Sequence, residues 1–164
     1  MKYFKYFLLI SFLYFLNGCA EVANYTPSKA VSKKEVIAVF PFQNNTDTPL
    51  AGERVKSIMT NLLLSKGYKA RSVSLKLQED EYLNESKIIK LSKKLPIKYY
   101  IFGSVNEYRY KSGIEAQPAV AISFKVVDKD NGDVIYGAVG AKSGWGGESL
   151  GTVTQKLIEE LIFR

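Results

Sequence analysis

The sequence predicts an α+β fold, with helices packed on a mostly antiparallel sheet in the order β-α-β-α-β-β-β-α. Three observations carry this. Short apolar runs alternate with helical repeats in the first half, two long strand-like segments flank Asn131-Gly132, and the chain closes on the apolar helical stripe Leu150, Val153, Leu157, Leu161.

Taken in order, Val36-Ile37-Ala38-Val39-Phe40 is a short apolar run suited to a buried strand, ended by Pro41 and the polar stretch from Gln43 to Thr48. Pro49 suits a first helical turn, where its missing N–H would be unpaired anyway. Val55, Ile58, Met59, Leu62 and Leu63 recur at helical spacing up to Ser65, and Gly67 takes the left-handed position that closes such a helix. Tyr68 to Leu75 reads as a second strand. Asn84 can cap a short helix carrying Ile88, Leu91 and Leu95, which Pro96 stops. Tyr99 to Tyr110 is a long strand. Ala119–Asp128 and Val134–Ala141 form a hairpin around Asn131-Gly132, a dipeptide suited to a type I′ turn with two positive φ angles. That register places Phe124, Val126, Ile135 and Val139 on the buried face, with Lys125 and Tyr136 on the wet one. The last helix spans Glu148 to Phe163, its first acid facing the positive end of the helix dipole.

The N-terminus carries a different signal. Lys2 and Lys5 precede an uncharged run from Tyr6 to Leu16, followed by Asn17-Gly18-Cys19. This is the charged start, apolar core and small-residue exit of a secretory signal. The run falls short of the ~20 residues that span a bilayer as a helix. Leu16-Asn17-Gly18-Cys19 resembles the bacterial lipobox, in which the signal is cut before a cysteine that then carries lipid such as palmitate. Cys19 is the only cysteine, so no disulfide is available to the domain. The expected organisation is a signal peptide over 1–18, a lipidated Cys19 with spacer over 19–34, and one periplasmic α+β domain over 35–164. Ala20 stands where inner-membrane retention favours Asp, and by resemblance to lipoprotein sorting rules this favours an anchor on the periplasmic face of the outer membrane. The net charge of +7 is too dispersed to argue for nucleic acid as a partner.

Little points to catalysis. The chain has no histidine, which excludes Ser-His and Cys-His nucleophilic pairs and His-built metal sites. No Ser-x-x-Lys spacing occurs. Asp128, Asp130 and Asp133 resemble the opening of a calcium loop, but the glycine falls one place early and Val139 stands where the bidentate Glu belongs. Gly144-Trp145-Gly146-Gly147 before a helix lacks the Lys and Ser/Thr of a phosphate loop, and Glu148 would repel a phosphate there. Glu107 and Glu115 could pair for glycoside hydrolysis, although nothing in the sequence supplies a pocket for them. The sequence thus calls for no catalytic residue, metal or cofactor.

Binding features stand out more. Trp145, the single tryptophan, lies in a glycine-rich stretch and suits a membrane interface or a sugar face. Glu107-Tyr108-Arg109-Tyr110-Lys111 puts Tyr108 and Tyr110 on one strand face and the charges on the other, a pattern suited to a subunit or polymer contact. Glu79-Asp80-Glu81, with Glu85, is a local acidic cluster in a basic chain. Repeated around a ring axis, its field would add.

Val39-Phe40-Pro41-Phe42-Gln43-Asn44-Asn45-Thr46 and Thr48-Pro49-Leu50-Ala51-Gly52 resemble the start of small periplasmic lipoproteins. Those relatives are the curli secretion-channel lipoprotein CsgG, the peptidoglycan-synthase activator LpoB and the exopolysaccharide lipoprotein PelC. Glu107 through Gly113, Pro118-Ala119-Val120, and Gly144-Trp145 leading through Glu148-Ser149-Leu150 look most like the PelC family. The chain departs from that pattern at Tyr108, where Trp is frequent, and at Gly146-Gly147, where polar residues are expected. The resemblance implies a lipid-anchored homo-oligomeric ring, a dodecamer in the family, beneath an outer-membrane export pore protein. Its Trp-bearing rim would meet the membrane, and its acidic funnel would guide a cationic polysaccharide in transit during biofilm formation. It assigns Cys19 to lipidation and Trp145 to the membrane rim. We add Glu79, Asp80 and Glu81 as lumen residues. The alternatives are a lipoprotein activator of a periplasmic peptidoglycan synthase and a curli-type secretion-channel lipoprotein.

Overall fold

The computed structural model describes residues 22–25, 31–75, 84–111 and 116–162, the first segment as backbone only. Among these residues the strands are β1 (Val22–Tyr25), β2 (Val36–Val39), β3 (Gln43–Asn44), β4 (Lys69–Ser72), β5 (Tyr99–Tyr110), β6 (Pro118–Asp128) and β7 (Val134–Ser143). The helices are α1 (Ala51–Ser65), α2 (Glu85–Ser92) and α3 (Leu150–Ile162). All strands join one sheet in the order β1-β7-β6-β5-β2-β4, with β3 also paired to β5. The long ladders β5–β6 and β6–β7 are antiparallel, as is β1–β7. On the other side β2 runs parallel to β4 and β5, each reached through a helix, because a parallel neighbour needs a crossover connection.

The apolar run of β2 follows from burial on both faces. Ile37 and Val39 face the main core with Val55, Met59 and Leu63 of α1 and Leu157, Ile158 and Leu161 of α3. Ala38 and Phe40 face a smaller core with Ile88 of α2, Tyr100 and Val127. Local signals set the helix ends. Gly67, at φ +82°, allows Gly67 N–H to reach Leu64 O at 3.0 Å and Tyr68 N–H to reach Leu63 O at 2.9 Å, the paired bonds that close a helix C-terminus. Asn84 caps α2 by accepting Lys87 N–H at 2.8 Å.

Several expectations need correction. The element order holds, but the sheet gains β1 and β3. β1 turns part of the expected spacer into an edge strand, backbone pairing that a segment without periodicity does not announce. Pro49 lies outside α1; Leu50 precedes the helix with φ +60°, and no side chain caps it. The hairpin register is shifted by one residue. Only Gly132 has positive φ in the connection, at +77°, and Gly132 N–H bonds Asp128 O at 2.9 Å, so the loop is longer than a two-residue turn. Val126 consequently pairs with Tyr136 and Phe124 with Ala138. Tyr136 therefore lies against the core, its hydroxyl bonding the Leu161 carbonyl, and Val139 is exposed.

Candidate functional site

The C-terminal end of β5, the start of β6, the end of β7 and the N-termini of α1 and α3 meet at one end of the sheet. Trp145 projects there, 58% exposed. Its short loop is fixed on both sides. Gly144 N–H bonds Pro118 O at 2.8 Å, and a β-carbon at 144 would lie within 2.5 Å of Val153 and 2.8 Å of Pro118. Glu148 accepts Trp145 N–H at 2.9 Å and pairs with Lys156, while the Ser149 hydroxyl caps α3 by accepting Thr152 N–H at 3.0 Å. Glu148 thereby occupies the backbone donor an anion would need.

The ion pair with Lys156, then the bond from Trp145 N–H, hold the Glu148 carboxyl below its ordinary value of 4.5. A carboxyl that is more acidic when folded contributes stability in full above pH 4.5, and that contribution disappears as pH falls through the folded-state value. Trp145 fluorescence should therefore change on acidification below pH 4.5, and Glu148→Gln should remove that transition. An unchanged titration in the variant would contradict this coupling.

A bulge between Val105 and Glu107 resets the strand alternation just before the Glu107–Lys111 segment. Tyr108, read from sequence as a contact residue, is 2% exposed and belongs to the main core; the Thr48 hydroxyl bonds its carbonyl. Arg109 is exposed on the opposite face, its Nε 3.0 Å from Glu107 Oε1. These residues, with Asn45–Thr48, border a polar depression of about 180 Å³. Tyr110, 49% exposed, borders a wider groove of about 480 Å³ with Arg54, Ile58 and Leu150. The sequence did not mark Leu50, which is 66% exposed at the same end.

The three aspartates of the β6–β7 loop lie at the opposite end. Asp128 and Asp130 turn to the ammonium group of Lys98, at 2.9 and 2.8 Å, and their hydrogen bonds raise the Lys98 pKa above its ordinary value. They are arranged around a cation the chain itself supplies. Cys19, Glu79, Asp80, Glu81 and Glu115 lie outside the described residues. Among the described residues no helix is long and apolar enough to cross a membrane.

β1 fixes where the N-terminal segment arrives. Val22 pairs with Ala141, four residues before Trp145, and Tyr25 pairs with Ala138. The three residues from Cys19 to Val22 span at most about 11 Å.

No family model matches the chain. No curated protein is similar to it in sequence. Among solved structures it is similar to the PelC dodecamer from Paraburkholderia phytofirmans, with TM-score 0.76 and 28% identity over 87% of this chain and 95% of that one. A variant of the same dodecamer gives TM-score 0.75 at 28% identity, over 87% of this chain and 96% of that one. Lipoprotein GNA1162 from Neisseria meningitidis shares the fold, with TM-score 0.55 and 17% identity over 76% of this chain and 96% of that one. The chain is PelC-like in fold.

Proposed function

We propose that this chain is a lipid-anchored periplasmic protein of the outer membrane that assembles into a ring and supports export of an exopolysaccharide. The carrying observation is the likeness to PelC dodecamers, at TM-score 0.76 and 28% identity over 87% of the chain. In this reading residues 1–18 are a cleaved signal, Cys19 bears the lipid, and Trp145 sits at the membrane interface, where an amphipathic indole is favoured. The arrival of β1 beside the Trp145 end supports that orientation, since lipid and tryptophan then address one surface. The ring acts by assembly, with no turnover, and an export pore protein docks on it.

The short tether disfavours the synthase activator. Only Ala20 and Glu21 separate Cys19 from β1, whereas an activator must reach through the cell wall. Arg109 is the exposed candidate for a subunit or polymer contact. Glu79, Asp80 and Glu81 line the lumen in this reading and attract a cationic polymer through their summed field.

A strain lacking the chain should lose surface polysaccharide and regain it from wild-type protein. Replacing Glu79, Asp80 and Glu81 together with serine should cut export while leaving protein level and ring mass unchanged. Normal export by that variant would contradict the acidic-lumen assignment. Normal export by the deletion strain would contradict the function.

A further inference from the structure

We infer that Leu50 and Tyr110 join Trp145 in a lipid-contacting surface, so that the domain rests on the bilayer at three apolar points. This rests on the proposed anchoring at Cys19 and extends it from Trp145 to two residues outside its loop.

Leu50, Tyr110 and Trp145 are large apolar side chains exposed at one end of the sheet. Their placement is structural. Gly144 N–H on Pro118 O holds the Trp145 loop beside the start of β6, and Pro118 pairs with Tyr110. The Thr48 hydroxyl on the Tyr108 carbonyl ties the segment leading to Leu50 to the same stretch of β5. Leu50 itself adopts φ +60°, a conformation that bulky L-residues avoid, at a helix start where Asn or Gly would fit the backbone better. A leucine there is disfavoured by conformation and by exposure to water, and contact with lipid offsets the second.

The chain outside the described residues supplies the occupant. The segment that carries Cys19 leads into Val22, which pairs with Ala141 near this same end, so the lipid attachment point lies within about 11 Å of Val22 and on the Trp145 side of the sheet. Charge agrees. Arg54 and Lys111 are exposed around the apolar groups, Glu107 is paired with Arg109 and Glu148 with Lys156, and Asp47 is the exposed acid at this end. Cationic side chains beside an apolar tip suit the headgroups of an anionic leaflet.

The test uses the mature lipidated protein in vesicles of phosphatidylethanolamine and phosphatidylglycerol. Cys19 is blocked by its lipid, so Leu50→Cys and Tyr110→Cys each provide one thiol for a nitroxide label. Val134→Cys, exposed at the opposite end, serves as the reference. Labels at 50 and 110 should collide with oxygen and show several-fold less access to a water-soluble nickel chelate than the label at 134. In parallel, brominated lipid should quench the fluorescence of Trp145.

Free nickel access at 50 and 110 with quenched Trp145 would overturn this inference and leave the anchoring intact. Shielding from both oxygen and nickel would place the residues against another copy of the chain and also overturn it. Free nickel access together with unquenched Trp145 would overturn the membrane-facing orientation as well.

Discussion

Replacing Cys19 with serine is expected to move the protein from the outer-membrane fraction to the soluble periplasm. Each buried methylene of an acyl chain contributes about 0.8 kcal/mol, and a single chain binds a bilayer only marginally, with a constant near ~10⁴ M⁻¹. The two or three chains of a lipoprotein make release negligible, whereas exposed side chains at one end of a folded domain cannot replace them. Serine removes the thiol that receives the first acyl-bearing group and with it the whole anchor. Cell fractionation with labelled palmitate reads the result: wild type carries label and sediments with outer membrane, and the variant does neither. A Cys19→Ser protein that still carried palmitate, or still sedimented with outer membrane, would contradict the assignment of the anchor.

Gly52→Ala is expected to destabilise the domain strongly. A β-carbon at 52 would lie 1.9 Å from the Phe42 carbonyl oxygen and 2.9 Å from its carbon. The obstacle is backbone, and Phe42 is itself buried in the main core, so neither side can yield without moving the start of α1. Overpacking of this kind costs about 3 kcal/mol, against which the better helix propensity of alanine returns at most ~1 kcal/mol. Gly151→Ala in α3 is the control. Its nearest neighbour would be the Ser149 hydroxyl at 3.6 Å, so the same change there should stabilise by about 0.5–1 kcal/mol. Urea unfolding of the two variants should shift in opposite directions. A Gly52→Ala midpoint equal to wild type would show that α1 is free to slide on the β2–β3 connection.

The fold was legible wherever one local signal decided the outcome. The apolar run of β2, the Gly67 helix end, the Asn84 cap and the long β5 depend on neighbouring residues alone, and each appears where its residues place it. The hairpin register was not legible, because Asn131-Gly132 fits a two-residue turn and a longer loop with one positive φ equally well. Choosing the wrong loop exchanged Val139 for Tyr136 on the core face. β1 and β3 carry no periodicity of their own and exist because a strand edge or a strand end was available to pair with them.

The site divides in the same way. Trp145 was visible as a lone tryptophan among glycines, and its exposure follows from the pinned loop around it. Tyr108 and Tyr110 looked equivalent from sequence. Thr48 and the core take the first and leave the second outside, a long-range distinction no local pattern contains. Leu50 gave no signal because its significance lies in a backbone angle.

The proposed function requires copies of this chain to close into a ring. The mass of the mature lipidated protein in detergent, determined by light scattering beside negative-stain images, tests it most directly. A single species of many subunits with a closed annular outline is expected. A clean monomer at every protein concentration, with detergent and in vesicles alike, would contradict it.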